Sequence, residues 1–370
     1  MSKTVIIIGG GVAGMETASQ LVRLGIEIDL IEKQSRLGGH LNNWDRLFPN
    51  RRDSKEVFEY LELGMNDGIS LHLNAEIDHI RRDENRFTVS FKDGKNLHSD
   101  ALVIATGFEV FDARKKEEYG YGIYDNVITS VELEEFFRNN KQKNLFEGIT
   151  SRRVGIVHCV GSRDEKAGNL YCSKLCCVTG VKQAIEIKEL MPDAEIFCFY
   201  MDLRMFDRHF EEMYYEAQEK WGIQFIRGRL SEASENQDHT LLVKLEDTLT
   251  GLPLKMKVDL LILLVGFVPS PETRRLAAML GLKEGDDRFL CPSDEHTITN
   301  STEIPGVFLA GTVKGPSGIA STITDARATA LQVATYLKSQ TDTPGQAPDS
   351  DSVTKQRSIF PPSSSGSFDY

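Results

Sequence analysis

The sequence predicts an α/β protein built on two βαβ units, and three observations carry that reading. Thr4 to Ile8 is a continuous apolar run that ends in glycines, as expected for a parallel strand covered on both faces. Val154 to Val157 opens a second unit of the same kind, and Leu260 to Val265 is another buried-strand run. Between such runs lie helical segments, at 12–24 and 182–190, so strands and helices alternate as in a parallel sheet with crossovers.

Each element follows in order. Val12 to Leu24 places Met15, Ala18, Leu21 and Val22 on one side and stops at Gly25, a helix end; Glu27 to Glu32 is the second strand. Residues 75–106 alternate as a meander: Ile77 to Ile80, Phe87 to Phe91, a turn at Asp93-Gly94, then Ala101 to Ala105. Glu117 to Asn144 is a charged connector, helical around Val131 to Phe137. The second unit continues with Lys182 to Leu190 as helix, Glu195 to Tyr200 as strand, a helix at about 207–221 and a strand at Gln224 to Arg227. A hairpin joins Leu241 to Leu245 with Lys255 to Val258. Gly306 to Ala310 is a last strand and 317–338 a last helix. The expected division is 1–115 and 276–338 as one discontinuous unit, with 116–275 inserted as the second and 339–370 a disordered tail rich in Ser, Pro and Asp. The only internal repetition is weak, two βαβ units each followed by a meander.

Composition narrows the function. The 370 residues suffice for two or three domains, with 40% hydrophobic and 26% charged residues, as in a soluble globular chain. A net charge of −12 argues against a basic surface that grips nucleic acid or anionic lipid. No apolar run approaches the roughly 18 residues of a membrane span, and no export leader precedes Thr4. Six cysteines are too few for a disulfide scaffold, and four fall within Cys159–Cys177. That clustering points to a metal or redox site in a reducing compartment, hence the cytoplasm.

Gly9-Gly10-Gly11-Val12-Ala13-Gly14 fits Gly-x-Gly-x-x-Gly between a strand and a helix. Gly9 permits the turn, Gly11 lets a pyrophosphate approach the backbone, and Gly14 lets the helix pack on the strand. The helix N-terminus offers free N–H groups to phosphates, and Glu32, 23 residues after Gly9, is placed for ribose hydroxyls. Leu37-Gly38-Gly39-His40, Ala101 to Gly107 and Ile304 to Thr312 complete a set that resembles the two-dinucleotide-binding-domain flavoproteins. The resemblance implies FAD and a fold of two Rossmann-like domains. It carries cofactor contacts onto Gly9, Gly11, Gly14, Glu32, Lys33, Gly39, His40, Ile77, Thr106, Gly107, Gly311, Thr312, Ile319 and Ala320. Thr312 stands where that family has Asp, which weakens the ribityl contact, and Lys314 is a candidate positive charge at the flavin edge.

The second unit lacks a glycine fingerprint. Its strand runs Val154-Gly-Ile-Val-His-Cys159, and Cys172, Cys176 and Cys177 follow. If helical, Cys172 and Cys176 share a face, with Cys177 about 100° further round. Four thiolates suit zinc or an iron–sulfur cluster; adjacent Cys176 and Cys177 favour the cluster, whose irons sit at separate corners. The bland alternative is that they are small buried hydrophobes. His158, facing the other side of its strand, and Cys198 and Cys291 are read as structural; Arg204 and Arg208 are candidates for a partner surface, and 81–84 is read as a solvated turn.

Cys159-Val-Gly-Ser-Arg-Asp164, Tyr171-Cys-Ser-Lys-Leu-Cys-Cys177, Lys182-Gln-Ala184, Asp202-Leu-Arg204, Phe225 to Arg229 and Gly311-Thr-Val-Lys-Gly-Pro316 resemble the heterodisulfide reductase A-type subunit family over about 1–338. The resemblance implies a [4Fe-4S] cluster on Cys159, Cys172, Cys176 and Cys177 beside FAD, heterodisulfide reductase-like B- and C-type partner subunits, and a homodimer. Asn50-Arg-Arg-Asp-Ser54 lacks the further cysteines of many relatives, and Met205 to His209 lacks the Gly-Lys pair of bifurcating ones. The short A-type subunits of sulfur-oxidising complexes are therefore the nearer likeness. The quinone-interacting complexes, a self-sufficient NAD(P)H-dependent disulfide reductase and a zinc flavoprotein are the alternatives.

Overall fold

The structure, a computed structural model, describes residues 3–83, 86–139 and 152–340. Two five-stranded sheets organise it, each parallel throughout. The first runs Val307–Leu309, Ala101–Ile104, Thr4–Ile8, Glu27–Ile31, Ile69–His72. The second runs Val127–Thr129, Leu260–Val265, Arg153–Val160, Glu195–Tyr200, Gln224–Arg227. Each has its opening strand at the centre, its βαβ successor on one side, and the strand that follows a meander on the other. This is the two-Rossmann-domain α/β fold that the sequence predicts. Continuous burial explains the continuous apolar runs: Val5, Ile6 and Ile7 are wholly buried, and every residue of Leu260–Val265 is buried.

The repetition reaches the meanders. Ile77–Asp83, Arg86–Phe91 and Asn96–Ser99 form one antiparallel sheet, and Leu230–Glu235, Leu241–Asp247 and Leu252–Val258 form its counterpart. Arg86–Phe91 buries alternate residues, the period that makes such strands legible.

Several expectations need correction. Ala101–Ile104 does not close the meander but joins the parallel sheet beside Thr4–Ile8, because its apolar run is buried on both faces. Leu230–Glu235 is a strand despite its polar Ser-Glu-Ala-Ser-Glu, since it pairs at a sheet edge. Ser54–Glu62, capped by the Asp53 side chain on the Lys55 N–H, is an unanticipated helix, and Val127–Thr129 inside the connector belongs to the second sheet. Arg81, Arg82 and Asp83 end a strand instead of forming a turn. The tail from residue 341, residues 140–144 of the connector and Glu84 lie outside the described residues.

Where the chain crosses between the two units, Phe108–Val110 pairs antiparallel with Phe267–Pro269. Each segment follows directly on the corresponding strand of its own sheet. The pairing brings Phe108 and Phe267 into a stack with ring centroids 4.0 Å apart.

Candidate functional site: a dinucleotide cradle facing a cysteine cluster

The first strand ends at Gly9 with φ +113°, and a Cβ there would stand 2.3 Å from the Ala105 carbonyl oxygen. A Cβ on Gly14 would lie 1.8 Å from the Gly9 carbonyl oxygen, so helix and turn meet without room for a side chain. Gly11 is different: no protein atom lies within 4 Å of the Cβ it lacks. It borders a cavity of about 440 Å³ whose walls include Glu32, His40, Thr106, Phe108 and Thr312. Past Glu32 and Thr106 a second cavity of about 440 Å³ continues, with Ile77, Lys92 and Arg275 in its walls.

Two helices begin at the first cavity, Val12–Arg23 and Ile319–Ser339, the second presenting Ile319 and Thr322. Their N-cap residues, Gly11 and Gly318, supply no side-chain cap. First-turn N–H groups of both helices are therefore available to an anion, with both helix dipoles favouring it. A glycine floor, two uncapped helix starts and an elongated cavity fit a dinucleotide such as FAD.

Most of the anticipated residues meet here: Gly9, Gly11, Glu32, Lys33, Gly39, His40, Thr106, Gly107, Thr312 and Ile319 line the first cavity, and Ile77 the second. Gly14 and Gly311 act behind the wall; a Cβ on Gly311 (φ +73°) would meet the Ala13 Cβ at 2.6 Å. Ala320 is exposed and lines neither cavity, because its side chain turns away at the second position of its helix. Glu32 is buried and already accepts from the Gly10 N–H at 2.7 Å and the Gln34 N–H at 2.8 Å, so it also holds the turn. His40 Nε2 lies 2.8 Å from the Phe108 carbonyl oxygen and must carry the proton; its ring stacks on Phe108 at 4.4 Å. Lys314 is committed elsewhere, donating to Asp325 at 2.6 Å and the Thr299 carbonyl at 2.8 Å. Trp44, Phe108, Thr322 and Arg275 were not anticipated. Phe108 follows Gly107 and could have been read from that adjacency; Arg275 arrives from a distant helix without local signal.

Phe267, the ring stacked on Phe108 between the two units, lines a small cavity together with Cys176, one of the four cysteines. Cys159 occupies an irregularity of its strand, where pairing with Leu260–Val265 shifts register, and has φ +61°. Arg163 and Lys174 also have positive φ, so three strained non-glycine residues bracket the cluster. Cys176 and Cys177 open the helix Cys176–Leu190, but Cys172 lies on the preceding loop, so the i, i+4 relation does not hold.

Burial pushes the Cys159 thiol up to about 12, with further upward contributions from Cys177 and Cys172 and opposing ones from Arg163 and Arg204. Burial also raises Cys176 and Cys177; neighbouring thiols add to both. The Cys172 sulfur accepts from the Lys174 N–H at 3.3 Å and Cys177 from the Arg204 N–H at 3.4 Å. Among the described residues no group of three or more His, Cys, Asp or Glu side chains is disposed to hold a metal ion. The donor chemistry is four thiols, backbone hydrogen-bond donors on Cys172 and Cys177, and the Arg163 and Arg204 guanidiniums to offset thiolate charge.

The remaining candidates are structural. His158 is fully buried, has no hydrogen-bond partner for either ring nitrogen among the described residues, and is held neutral by burial, its pKa lowered to about 3. Cys198 is core, and the thiol of half-buried Cys291 is raised by burial.

Comparison with known proteins agrees with this geometry. Pyridine nucleotide-disulphide oxidoreductases as a family match residues 3–146 and 177–333. The A-type subunit of the H(2):CoB-CoM heterodisulfide,ferredoxin reductase of Methanothermobacter thermautotrophicus is 31% identical over 415 aligned positions, covering 89% of this chain and 63% of that protein. The A-type subunit of the H(2)/formate:CoB-CoM heterodisulfide,ferredoxin reductase of Methanococcus maripaludis is 38% identical over 245 positions, covering 65% and 37%. The resemblance read from the motifs is borne out, although the chain spans less than two thirds of these relatives. Thioredoxin reductases of Lactococcus lactis and T. acidophilum share the fold, with TM-scores of 0.63 and 0.62 at 18% identity. They cover 91% and 90% of this chain and 100% and 99% of theirs. Among the described residues no helix is long and apolar enough to cross a membrane.

Proposed function

The chain belongs to the pyridine nucleotide-disulphide oxidoreductase family, and on that premise we propose an electron-transfer subunit of a heterodisulfide reductase-like complex in sulfur or thiol/disulfide metabolism. It carries FAD and a [4Fe-4S] cluster. The observation that supports this most is that Phe108, in the wall of the dinucleotide cradle, stacks at 4.0 Å on Phe267, which lines a small cavity together with Cys176.

FAD would supply two-electron chemistry and a cluster one-electron chemistry, so their adjacency would convert pair transfer to single transfer. The residues divide the remaining work. Gly9, Gly11 and Gly14 shape the floor for a pyrophosphate, and the starts of Val12–Arg23 and Ile319–Ser339 offer N–H groups to negative charge. Glu32 and Lys33 face the ribose end; Thr312 offers a hydroxyl where an Asp would be stronger. His40 and Phe108, stacked at 4.4 Å, form part of the cradle wall. Cys159, Cys172, Cys176 and Cys177 would ligate the cluster, with Arg163 and Arg204 lowering the cost of their negative charge. Where a self-sufficient NAD(P)H reductase carries a second glycine fingerprint, this chain carries Cys159 and the cysteine loop, which disfavours that alternative.

By the same reading the FAD domain is discontinuous, 1–115 with 276–338. The chain acts in the cytoplasm as a homodimer with B- and C-type subunits. Cys172 is more exposed than the other three ligands, which makes its side of the cluster the natural exit for electrons.

Iron, acid-labile sulfide, zinc and flavin content of protein purified without oxygen tests the reading. About four irons and four sulfides per FAD are expected, with iron abolished by Cys176→Ala. FAD without iron in such protein, or zinc in place of iron, would sink it.

A further inference from the structure

The second cavity continues from the first where Glu32 and Thr106 wall both, so a nucleotide whose ribose meets Glu32 extends into it. Ile8, Ile31 and Ile77 give it apolar surface. Its cations, Lys33, Lys92 and Arg275, are matched in number by the carboxylates Glu32, Glu76 and Glu272. Lys92 pairs with Glu76 and Arg275 with Glu272. A cavity so balanced offers no net charge to a phosphate and suits an uncharged, planar heterocyclic base. Arg275 is fixed in its wall by three bonds. Nη2 donates to the Ile77 carbonyl at 2.6 Å and to Glu272 at 2.8 Å, and Nε donates to the other Glu272 oxygen at 3.3 Å. The fork onto one carboxylate sets the plane of the guanidinium. The helix that carries Arg275, Pro271–Leu280, is pinned as well: Ser270 caps the Thr273 N–H at 3.1 Å, and Thr273 Oγ1 lies 2.6 Å from Thr106 Oγ1.

We propose that Arg275, oriented by Glu272, seats the base of the dinucleotide in the second cavity and so makes the cradle select a dinucleotide over a flavin mononucleotide. The inference rests on the FAD cradle proposed above and does not involve the cysteines. A guanidinium stacks on the face of an aromatic ring through its own plane, which the compact ammonium of lysine lacks. Glu272 holds that plane and offsets its charge, so the seat favours a base over an anion. The bond to the Ile77 carbonyl fixes a second part of the same wall, the start of the strand Ile77–Asp83. The two anchors, Thr273 on Thr106 and Arg275 on Ile77, are made by the protein alone. The seat is therefore formed before a cofactor arrives, which lowers the ordering cost of binding. Glu272 acts through Arg275 and is a positioning residue.

The full chain, stripped of flavin and titrated with FAD and with FMN, tests the proposal. Wild type is expected to bind FAD about 100-fold or more tightly than FMN, because only FAD carries a base. Arg275→Ala should weaken FAD about tenfold, while the stripped protein melts within about 3 °C of wild type. Arg275→Lys keeps a donor for the Ile77 carbonyl but not the plane, so it should melt as wild type and still bind FAD weakly. Glu272→Gln should weaken FAD by less, and adding it to Arg275→Ala should cost nothing more. Arg275→Ala with wild-type FAD affinity would overturn this inference alone. So would full recovery of FAD affinity in Arg275→Lys, which would leave Arg275 only the Ile77 contact, or a wild type that binds FMN as tightly as FAD. A wild type that binds no FAD would overturn the proposed function, and this inference with it.

Discussion

Replacing Lys182 by methionine is expected to destabilise the protein by about 3–5 kcal/mol, read as a lower denaturant midpoint. The side chain is 3% exposed. Its ammonium donates to Glu134 at 2.6 Å and to the Arg46 carbonyl at 2.7 Å, and lies 3.4 Å from Glu186. Burial works against its charge, but Glu134 and Glu186 prevail and hold its pKa above the usual lysine range. Methionine fills most of the space and removes only the charge. Glu134 then keeps its bonds from Gln183 at 2.7 Å and the Asp45 N–H at 3.2 Å but has no buried counter-charge. Adding Glu134→Gln should recover part of the loss; Lys182→Met within about 1 kcal/mol of wild type would show that the pair is not held as described. The consequence is functional as well. Lys182 ties the cysteine helix to the Arg46 segment beside Trp44, a cradle residue, so the variant should also weaken FAD retention.

The third member gives this cluster a pH dependence. Burial pushes the Glu186 carboxyl up from about 4.5 to about 8, with Glu134 adding and Lys182 opposing. Neither of its oxygens has a hydrogen-bond partner among the described residues. The folded protein binds this proton more tightly than the unfolded chain. The contribution to stability is therefore complete below about pH 4.5 and is lost as pH rises through about 8. At its steepest the loss is about 1.4 kcal/mol per pH unit. Glu186→Gln should flatten that slope and be more stable than wild type above pH 8. An unchanged slope in denaturation curves from pH 5 to 9 would contradict the assignment.

The glycine fingerprint was legible because its chemistry is local: a strand, a turn and a helix start adjoin in sequence. The paired meanders were legible in part, since period-two burial is written along Arg86–Phe91 but not along the edge strand Leu230–Glu235. Strand order was not. Ala101–Ile104 and Leu260–Val265 read as buried runs, but a run buried on both faces carries no mark of its neighbours. The four cysteines were found by clustering, yet Cys172 was misplaced on a helix. Lys174 at φ +56° turns the chain just before that helix begins. The buried Lys182, Glu134 and Glu186 escaped notice because charged residues on a helix ordinarily read as its solvent face. Only tertiary packing of two helices makes them interior. For the same reason nothing local marks Ser173 as buried; the Phe267 N–H that it accepts comes from 94 positions away.

Gly11→Ala and Gly14→Ala are expected to separate binding from folding at the cradle. Gly14→Ala should cost about 3 kcal/mol or more and lose FAD as a consequence, because its Cβ would fall 1.8 Å from a backbone oxygen that cannot rotate away. Gly11 has φ −80° and ψ −169°, which any residue adopts, and its Cβ would meet no protein atom within 4 Å. The flavin-free Gly11→Ala protein should therefore melt within about 1 kcal/mol of wild type, the small cost reflecting a poorer N-cap. Its methyl group would nevertheless occupy the ground where a pyrophosphate must approach the start of Val12–Arg23. Flavin content at purification should collapse, and FAD affinity should fall about 100-fold or more, roughly 3 kcal/mol. A Gly11→Ala protein that binds FAD like wild type would place the pyrophosphate elsewhere and remove the ground for the cradle. A Gly11→Ala protein that folds poorly without flavin would mean that this glycine serves the turn, as Gly9 and Gly14 do. The pair is informative because one fingerprint motif supplies both residues, and only the surrounding space distinguishes a glycine kept for the fold from one kept for the ligand.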